Sequence, residues 1–171
     1  VPTPIQSVAI PFLYAGNSAI LHAETGSGKT LTYLLPITEQ LLLASSRRKS
    51  RNNTNTTTYN NNGNVCLIIT PTRELAAQVA GVASALLPKR YVQLVRQPCN
   101  LMELSNDNQQ QEKQRVIIGS AKAILTSLYG NGKLPASPTP KPLVSKFLKS
   151  IRWLVMDEVD KLLNVKQLQK K

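Results

Sequence analysis

In the stretch AETGSGKT, Ala23 to Thr30, two glycines, a lysine and hydroxyl residues stand at a spacing suited to holding phosphate. Gly26 and Gly28 allow a turn tight enough for backbone N–H groups to face phosphate oxygens, with Thr25 and Ser27 completing the loop. Lys29 would bring positive charge to β- and γ-phosphates, and the Thr30 hydroxyl can ligate magnesium. Ala23 stands where the strict pattern has its first glycine, and a small residue fits there. A flexible turn with an incidental lysine is the alternative. The apolar run before the loop and the amphipathic segment after it favour phosphate binding.

A second constellation lies in LVMDEVDKLL, Leu154 to Leu163, where Asp157, Glu158 and Asp160 follow a short apolar run. Alone, the three acids read as a helix start, with Asp157 capping and Asp160 reaching back. Beside a phosphate loop they acquire another reading, a magnesium and water site. Asp157 would hold the metal, and Glu158 would orient and deprotonate the attacking water. At the carboxyl end of a parallel strand both side chains would project into a nucleotide crevice. Lys29, Asp157 and Glu158 are thus the candidate catalytic set, Thr30 and Asp157 the candidate metal holders, and ATP with Mg2+ the implied cofactors. The helix-start reading can hold at the same time.

These residues need a scaffold, and 171 residues with 42% apolar content suffice for one α/β domain with a buried core. Short apolar runs alternate with amphipathic segments, as in a parallel sheet covered by helices on both faces. The expected strands are SAILH (18–22), VCLIIT (65–70), YVQLV (91–95), RVIIG (115–119) and IRWLVM (151–156). Their nearly unbroken apolar character predicts burial on both faces. Helices are expected over 29–43, 73–87 and 120–130. The first should bury a stripe of Leu31, Leu34, Leu35, Thr38, Leu41 and Leu42, and Pro36 should kink it or strain one bond.

Two stretches interrupt this pattern. Residues 45–64 are Asn/Thr-rich, open with Arg47, Arg48, Lys49 and Arg51, and read as a solvated or disordered insertion. Residues 134–142, LPASPTPKP, read as a stiff Pro-rich loop. Strand–helix alternation resumes after each, so residues 1–171 read as a single domain.

Lys and Arg number 21 against 9 Asp and Glu, a formal charge of +12. That balance favours polyanionic partners, nucleic acid first and an anionic membrane surface second. No apolar run is long enough to span a membrane, and no membrane partner is expected. Cys66 and Cys99 suggest neither a disulfide framework nor a zinc site, which fits a reducing compartment, and Cys66 reads as a small buried hydrophobe. The chain begins at Val1 instead of Met, so a native N-terminus upstream is expected and the lack of a targeting peptide carries no weight.

Four blocks, in order and spanning the chain, resemble the first RecA-like domain of the DEAD-box RNA helicases. PTPIQ (Pro2 to Gln6) is similar to the adenine-reading Q motif, and AETGSGKT to motif I. PTRELAAQ (Pro71 to Gln78) resembles the RNA-backbone motif Ia nearly letter for letter, and VMDEVDKLL stands where the family has its DEAD tetrapeptide. The resemblance implies a three-layer RecA-like P-loop NTPase fold, adenine recognition by Gln6, and ATP-dependent remodelling of RNA or ribonucleoprotein. It also implies RNA contact by Pro71, Thr72, Arg73 and Glu74, and by Ser120 and Lys122 at the next RNA motif. The residues themselves agree for Thr72 to Glu74, since free N–H groups at a helix start can meet phosphates; a plain cap with Arg73 in a surface ion pair is the alternative.

The departures from the family lie mostly on the RNA side. The Thr-Pro-Gly-Arg turn is replaced by Ser120, Ala121, Lys122 and Ala123, and the paired glycines expected after YVQLV give way to RQPCN (96–100). RNA contact is therefore expected to be weaker or reshaped. Val159 in place of Ala adds two methyl groups but removes none of the acids. His22 and Trp153 read as packed residues, and the Arg47–Arg51 cluster as a solvated loop with an RNA arm as the lesser alternative. The leading reading is a DEAD-box ATPase and RNA helicase module working on structured or ribosomal RNA, with protein partners in a ribonucleoprotein assembly. A second RecA-like domain with arginine fingers is expected in the full-length protein. The competing reading is a helicase-derived assembly factor that binds RNA and protein with little or no ATP turnover. Basicity together with a ribosome-assembly role suggests a mitochondrial location, with the nucleolus or cytoplasm as alternatives.

Overall fold

The computed structural model describes residues 1–51, 65–96, 115–129 and 142–163. In chain order these form α1 (Pro4–Tyr14), α2 (Lys29–Arg51), β1 (Val65–Thr70), α3 (Arg73–Leu86), a 3-10 turn (Lys89–Tyr91) and β2 (Val92–Val95). There follow β3 (Arg115–Ser120), α4 (Ala121–Tyr129), α5 (Pro142–Ser150), β4 (Ile151–Met156) and the short α6 (Val159–Leu162). The four strands make one sheet in the order β2-β3-β1-β4, and every pairing is parallel.

Topology explains why helices cover both faces. From β1 the chain passes β3 to reach β2, and from β3 it returns past β1 to reach β4. Right-handed crossovers in opposite directions must leave their helices on opposite faces. Accordingly, Cys66 and Ile68 of β1 and Val116 and Ile118 of β3 pack with Leu34, Ile37, Val79 and Ala83 of α2 and α3. Val65, Leu67 and Ile117 point the other way, to Ile124 and Leu128 of α4 and Phe147 of α5. The alternation follows the period of two of an extended strand, and the three layers are those of a RecA-like P-loop fold. α1 lies against α2, burying Ala9 and Leu13, while the Tyr14 hydroxyl donates to the Glu39 carboxylate.

Five expectations are corrected. SAILH (18–22) forms no strand; Ile20 is 92% exposed, and Leu21 alone of the segment packs on the core. One anchoring side chain recovers too little apolar burial to order a strand. Burial on both faces holds for β1 and β3 but not for β4, where Arg152, Leu154 and Met156 are exposed. β4 is an edge strand, and its register against β1 slips once. Val65 pairs with Ile151 but Cys66 with Trp153, so Arg152 is an extra residue in a bulge.

In α2 the buried stripe runs through Tyr33, Leu34, Ile37, Thr38 and Leu41, leaving Leu31 and Leu42 exposed. The helix continues through Pro36 to Arg51, across the first seven residues of the stretch read as an insertion. His22 is exposed instead of packed, whereas Trp153 leans on the core. Cys66 is fully buried, and burial pushes its thiol well above the usual range. Residues 52–64, Cys99 with 97–100, and 134–141 of the Pro-rich loop lie outside the described residues. Among the described residues no helix is long and apolar enough to cross a membrane.

Candidate functional site

The sheet register sets the carboxyl ends of β1, β3 and β4 side by side, with Thr70 opposite Ser120 and Ile69 opposite Met156. The Asp157 N–H continues the ladder by donating to the Ile69 carbonyl at 2.9 Å. Motifs distant in sequence thus emerge on one edge.

The phosphate loop takes the conformation its glycines predict. Gly26 has φ +84° and Gly28 φ +89°, values at which a side chain would be strained. At Gly28 a Cβ would also stand 2.4 Å from Gln6 Nε2, so a side chain there would push the Gln6 amide from its place on the loop. The loop closes through Ser27 N–H to the Glu24 carbonyl at 3.2 Å, and Lys29 Nζ donates to the Ala23 carbonyl and, at 2.7 Å, to that of Glu24. Thr25 is exposed, while Lys29 and Thr30 are half-buried in the first turn of α2. Ser27 Oγ is buried without a hydrogen-bond partner among the described residues. Such an atom is costly to leave bare and fits a loop shaped for an acceptor-rich ligand.

The start of α1 is tied to this loop. Gln6 Oε1 accepts the Thr3 N–H at 3.0 Å, and Gln6 Nε2 donates to the Gly28 carbonyl at 3.3 Å. The Thr3 hydroxyl donates to the Ser27 carbonyl at 2.7 Å. Gln6 is therefore brought to the loop, with both ends of its amide engaged.

Asp157 and Glu158 follow β4 directly. Asp157 Oδ1 accepts the Glu158 N–H at 3.0 Å, and Oδ2 accepts the Tyr33 hydroxyl at 2.9 Å. Tyr33 belongs to the second turn of α2, so this bond brings the acids to the helix that carries Lys29 and Thr30. The Tyr33 hydroxyl is pushed far above its usual range by burial first, then by the Asp157 charge and hydrogen bond, against an opposing hydrogen bond from Thr30. Glu158 adopts the left-handed conformation, φ 49° and ψ 52°, which is uncommon and costly for a residue with a side chain. It occupies the N-cap position of α6, yet neither it nor Asp157 caps that helix through its side chain. The helix-start reading holds for position only. Glu158 Oε2 instead pairs with Lys161 Nζ at 2.7 Å, which raises the Lys161 pKa through that hydrogen bond and charge.

Among the described residues no three His, Cys, Asp or Glu converge as a metal cage. Magnesium is commonly held by one or two carboxylates together with substrate phosphates, and Asp157 with the Thr30 hydroxyl fits such a set.

On the other part of the edge, Thr72 caps α3, its Oγ1 accepting the Leu75 N–H at 3.2 Å. Pro71 is half-buried, and Arg73 and Glu74 are exposed in the first turn. Ser120 is only 4% exposed, and its Oγ accepts the Ala123 N–H at 3.3 Å at the start of α4. Lys122 is exposed two residues on, within the first turn. The Ser120 hydroxyl is thus engaged as a helix cap, leaving Lys122 as the outward group of that pair.

The sequence matches the DEAD/DEAH box helicase family over residues 3–170. The chain belongs to that family. ATP-dependent RNA helicase DBP7 of Eremothecium gossypii is 36% identical over 171 residues, covering 96% of this chain and 21% of that protein. ATP-dependent rRNA helicase spb4 of Aspergillus niger is 30% identical over 185 residues, covering 95% of this chain and 26% of that protein. The chain therefore spans about a quarter or less of the length of these relatives. A DEAD box protein from the hyperthermophile Methanococcus jannaschii has the same fold, with a TM-score of 0.60 at 24% identity over 98% of this chain and 38% of that one.

Two residues of this DEAD-box domain that sequence reasoning passed over belong to the site, Thr3 and Tyr33. Thr3 carried a signal, since a hydroxyl residue three before Gln6 at a helix start is half of a capping box. Tyr33 carried a weaker one: it stands three residues after Thr30 and so shares its helix face.

Proposed function

We propose that this domain is the ATP- and RNA-binding half of a DEAD-box helicase that remodels ribosomal RNA or its protein complexes. It would act with a second RecA-like domain in the full-length protein. The observation that carries the reading is the Tyr33–Asp157 bond, which brings the helix of the phosphate loop to the acids after β4. The name of the rRNA helicase relative supports the RNA class, and the charge of +12 supports a polyanionic partner.

Within this reading Lys29 exchanges its bonds to the Ala23 and Glu24 carbonyls for phosphate oxygens. Loop N–H groups and the Ser27 hydroxyl add donors to the same cradle. Gln6, braced by Thr3 and Gly28, offers its amide edge to adenine. Thr30 and Asp157 hold magnesium, which when bound neutralises phosphate charge. Glu158 accepts a proton from the attacking water, and its contact with Lys161 at 2.7 Å holds the carboxylate in place. Thr72 to Glu74, with Pro71 setting the turn, meet RNA phosphates at the start of α3, and Lys122 adds charge nearby.

The test is RNA-stimulated ATP hydrolysis by the full-length protein. Glu158→Gln should lower turnover by about 10²–10⁴-fold, the range of a general base, with ATP binding retained. Equal turnover in the two proteins sinks the enzymatic reading. A second reading, an RNA and protein assembly factor with little turnover, is favoured by the buried Ser120 cap and by Ala123 where the family has Arg. RNA binding without RNA-stimulated hydrolysis in the wild type would select it.

A further inference from the structure

The Tyr33 hydroxyl reaches one of the two groups assigned to the metal. It donates a hydrogen bond to Asp157 Oδ2 at 2.9 Å across 124 residues of sequence. A carboxylate oxygen accepts, so the single phenol proton is committed to Asp157.

Asp157 is fixed from both sides at once, Oδ1 by the Glu158 N–H at 3.0 Å and Oδ2 by Tyr33, with lone pairs remaining on each oxygen. Tyr33 is only 8% exposed, so its ring is gripped by the α2 face of the core and the hydroxyl cannot swing away without moving that packing.

We infer that Tyr33 is a positioning residue for magnesium, acting through Asp157 and touching neither nucleotide nor metal. The inference rests on the reading of Asp157 as a metal holder. It names a group outside the phosphate loop and the acidic tetrapeptide whose single hydroxyl orients a carboxylate ligand. Groups that orient metal ligands in this way commonly govern about 10–100-fold of metal affinity or activity.

The test is equilibrium binding of a fluorescent ADP to the full-length protein, measured with excess Mg2+ and again with EDTA. The ratio of the two affinities reads the metal's share of binding without any turnover. Tyr33→Phe keeps the ring and should keep the EDTA affinity while losing about tenfold of the Mg2+-dependent tightening. Asp157→Asn should lose the same tightening. The double variant should be no worse than Asp157→Asn alone, because a residue acting through Asp157 has nothing left to orient. Replacing Tyr33 by 4-aminophenylalanine, which keeps the ring and a donor, should restore the ratio.

The inference is overturned by any of three results. These are that Tyr33→Phe keeps the wild-type ratio, weakens binding equally in EDTA, or adds its full effect on top of Asp157→Asn. If Asp157→Asn itself leaves the ratio unchanged, the metal reading of Asp157 falls, and this inference falls with it. A loss in Asp157→Asn without one in Tyr33→Phe removes only the role of Tyr33.

Discussion

On the phosphate-loop part of the sheet edge, hydrogen bonds join residues far apart in the chain. Thr3 reaches Ser27, Gln6 reaches Gly28, and Tyr33 reaches Asp157. Around Thr72 and Ser120 the bonds are local, each hydroxyl capping the helix it begins, and among the described residues only Thr70 reaches across, to the Gly119 carbonyl at 3.5 Å. The charged groups there, Arg73, Glu74 and Lys122, are exposed. A site that must place charges to within a fraction of an ångström benefits from a frame fixed by tertiary contacts. A backbone-tracking surface needs positive charge and open N–H groups, and local caps suffice to present them. The departures from the family also gather on the locally built part, at Ser120, Ala121 and Ala123.

Substitutions can break this contrast. Gly28→Ala should have the largest effect, because it combines positive φ with a Cβ 2.4 Å from Gln6 Nε2. Strain of this kind costs about 1–3 kcal/mol, and the melting temperature should fall accordingly. Nucleotide affinity should fall at least about tenfold, ~1.4 kcal/mol, with nucleotide-free RNA affinity unchanged. If RNA affinity falls equally, the two parts are not separately built. Thr72→Ala removes one cap and should cost about 1 kcal/mol in denaturant unfolding, leaving nucleotide affinity as it was.

Arg73→Ala should leave the melting curve alone. It should weaken RNA binding and reduce the salt-dependence slope by about 1, as expected for one lost phosphate contact. An unchanged slope would remove Arg73 from the RNA surface. Lys161→Ala should have the smallest effect on stability, no measurable shift in melting, since its pair with Glu158 is local and solvent-exposed. A clear drop there would mean that local pairs also carry the nucleotide part.

Much of this was legible from residue types. The phosphate loop, β1, β3 and the helix after PTREL follow from glycines, β-branched runs and helical spacing, all of which act over a few residues. The misread elements depend on neighbours that a local pattern does not contain. SAILH has the composition of a strand but only Leu21 finds a core to join. IRWLVM has the composition of a buried strand but lies at an edge. The buried stripe on α2 includes Tyr33, whose hydroxyl partner Asp157 lies 124 residues away and so outside any helical spacing. That the acids directly follow a strand is implied by the apolar run before them, while the left-handed backbone at Glu158 has no counterpart in composition, since glycine or asparagine would ordinarily announce it.

The extra residue at Arg152 sets the phase of everything after it. A strand repeats every two residues, so one inserted residue shifts its faces by half a period. Ile151, before the bulge, packs with Leu67 and Phe147; Trp153 and Val155, after it, pack on the opposite core with α2 and α3. Asp157 continues the series of Trp153 and Val155 and so arrives on the face where Tyr33 waits. Were Arg152 paired opposite Cys66 in regular alternation from Ile151, the carboxylate would be delivered to the layer of α4 and α5, a strand's thickness from the phosphate loop. The bulge is a half-turn of the screw that aims the acid.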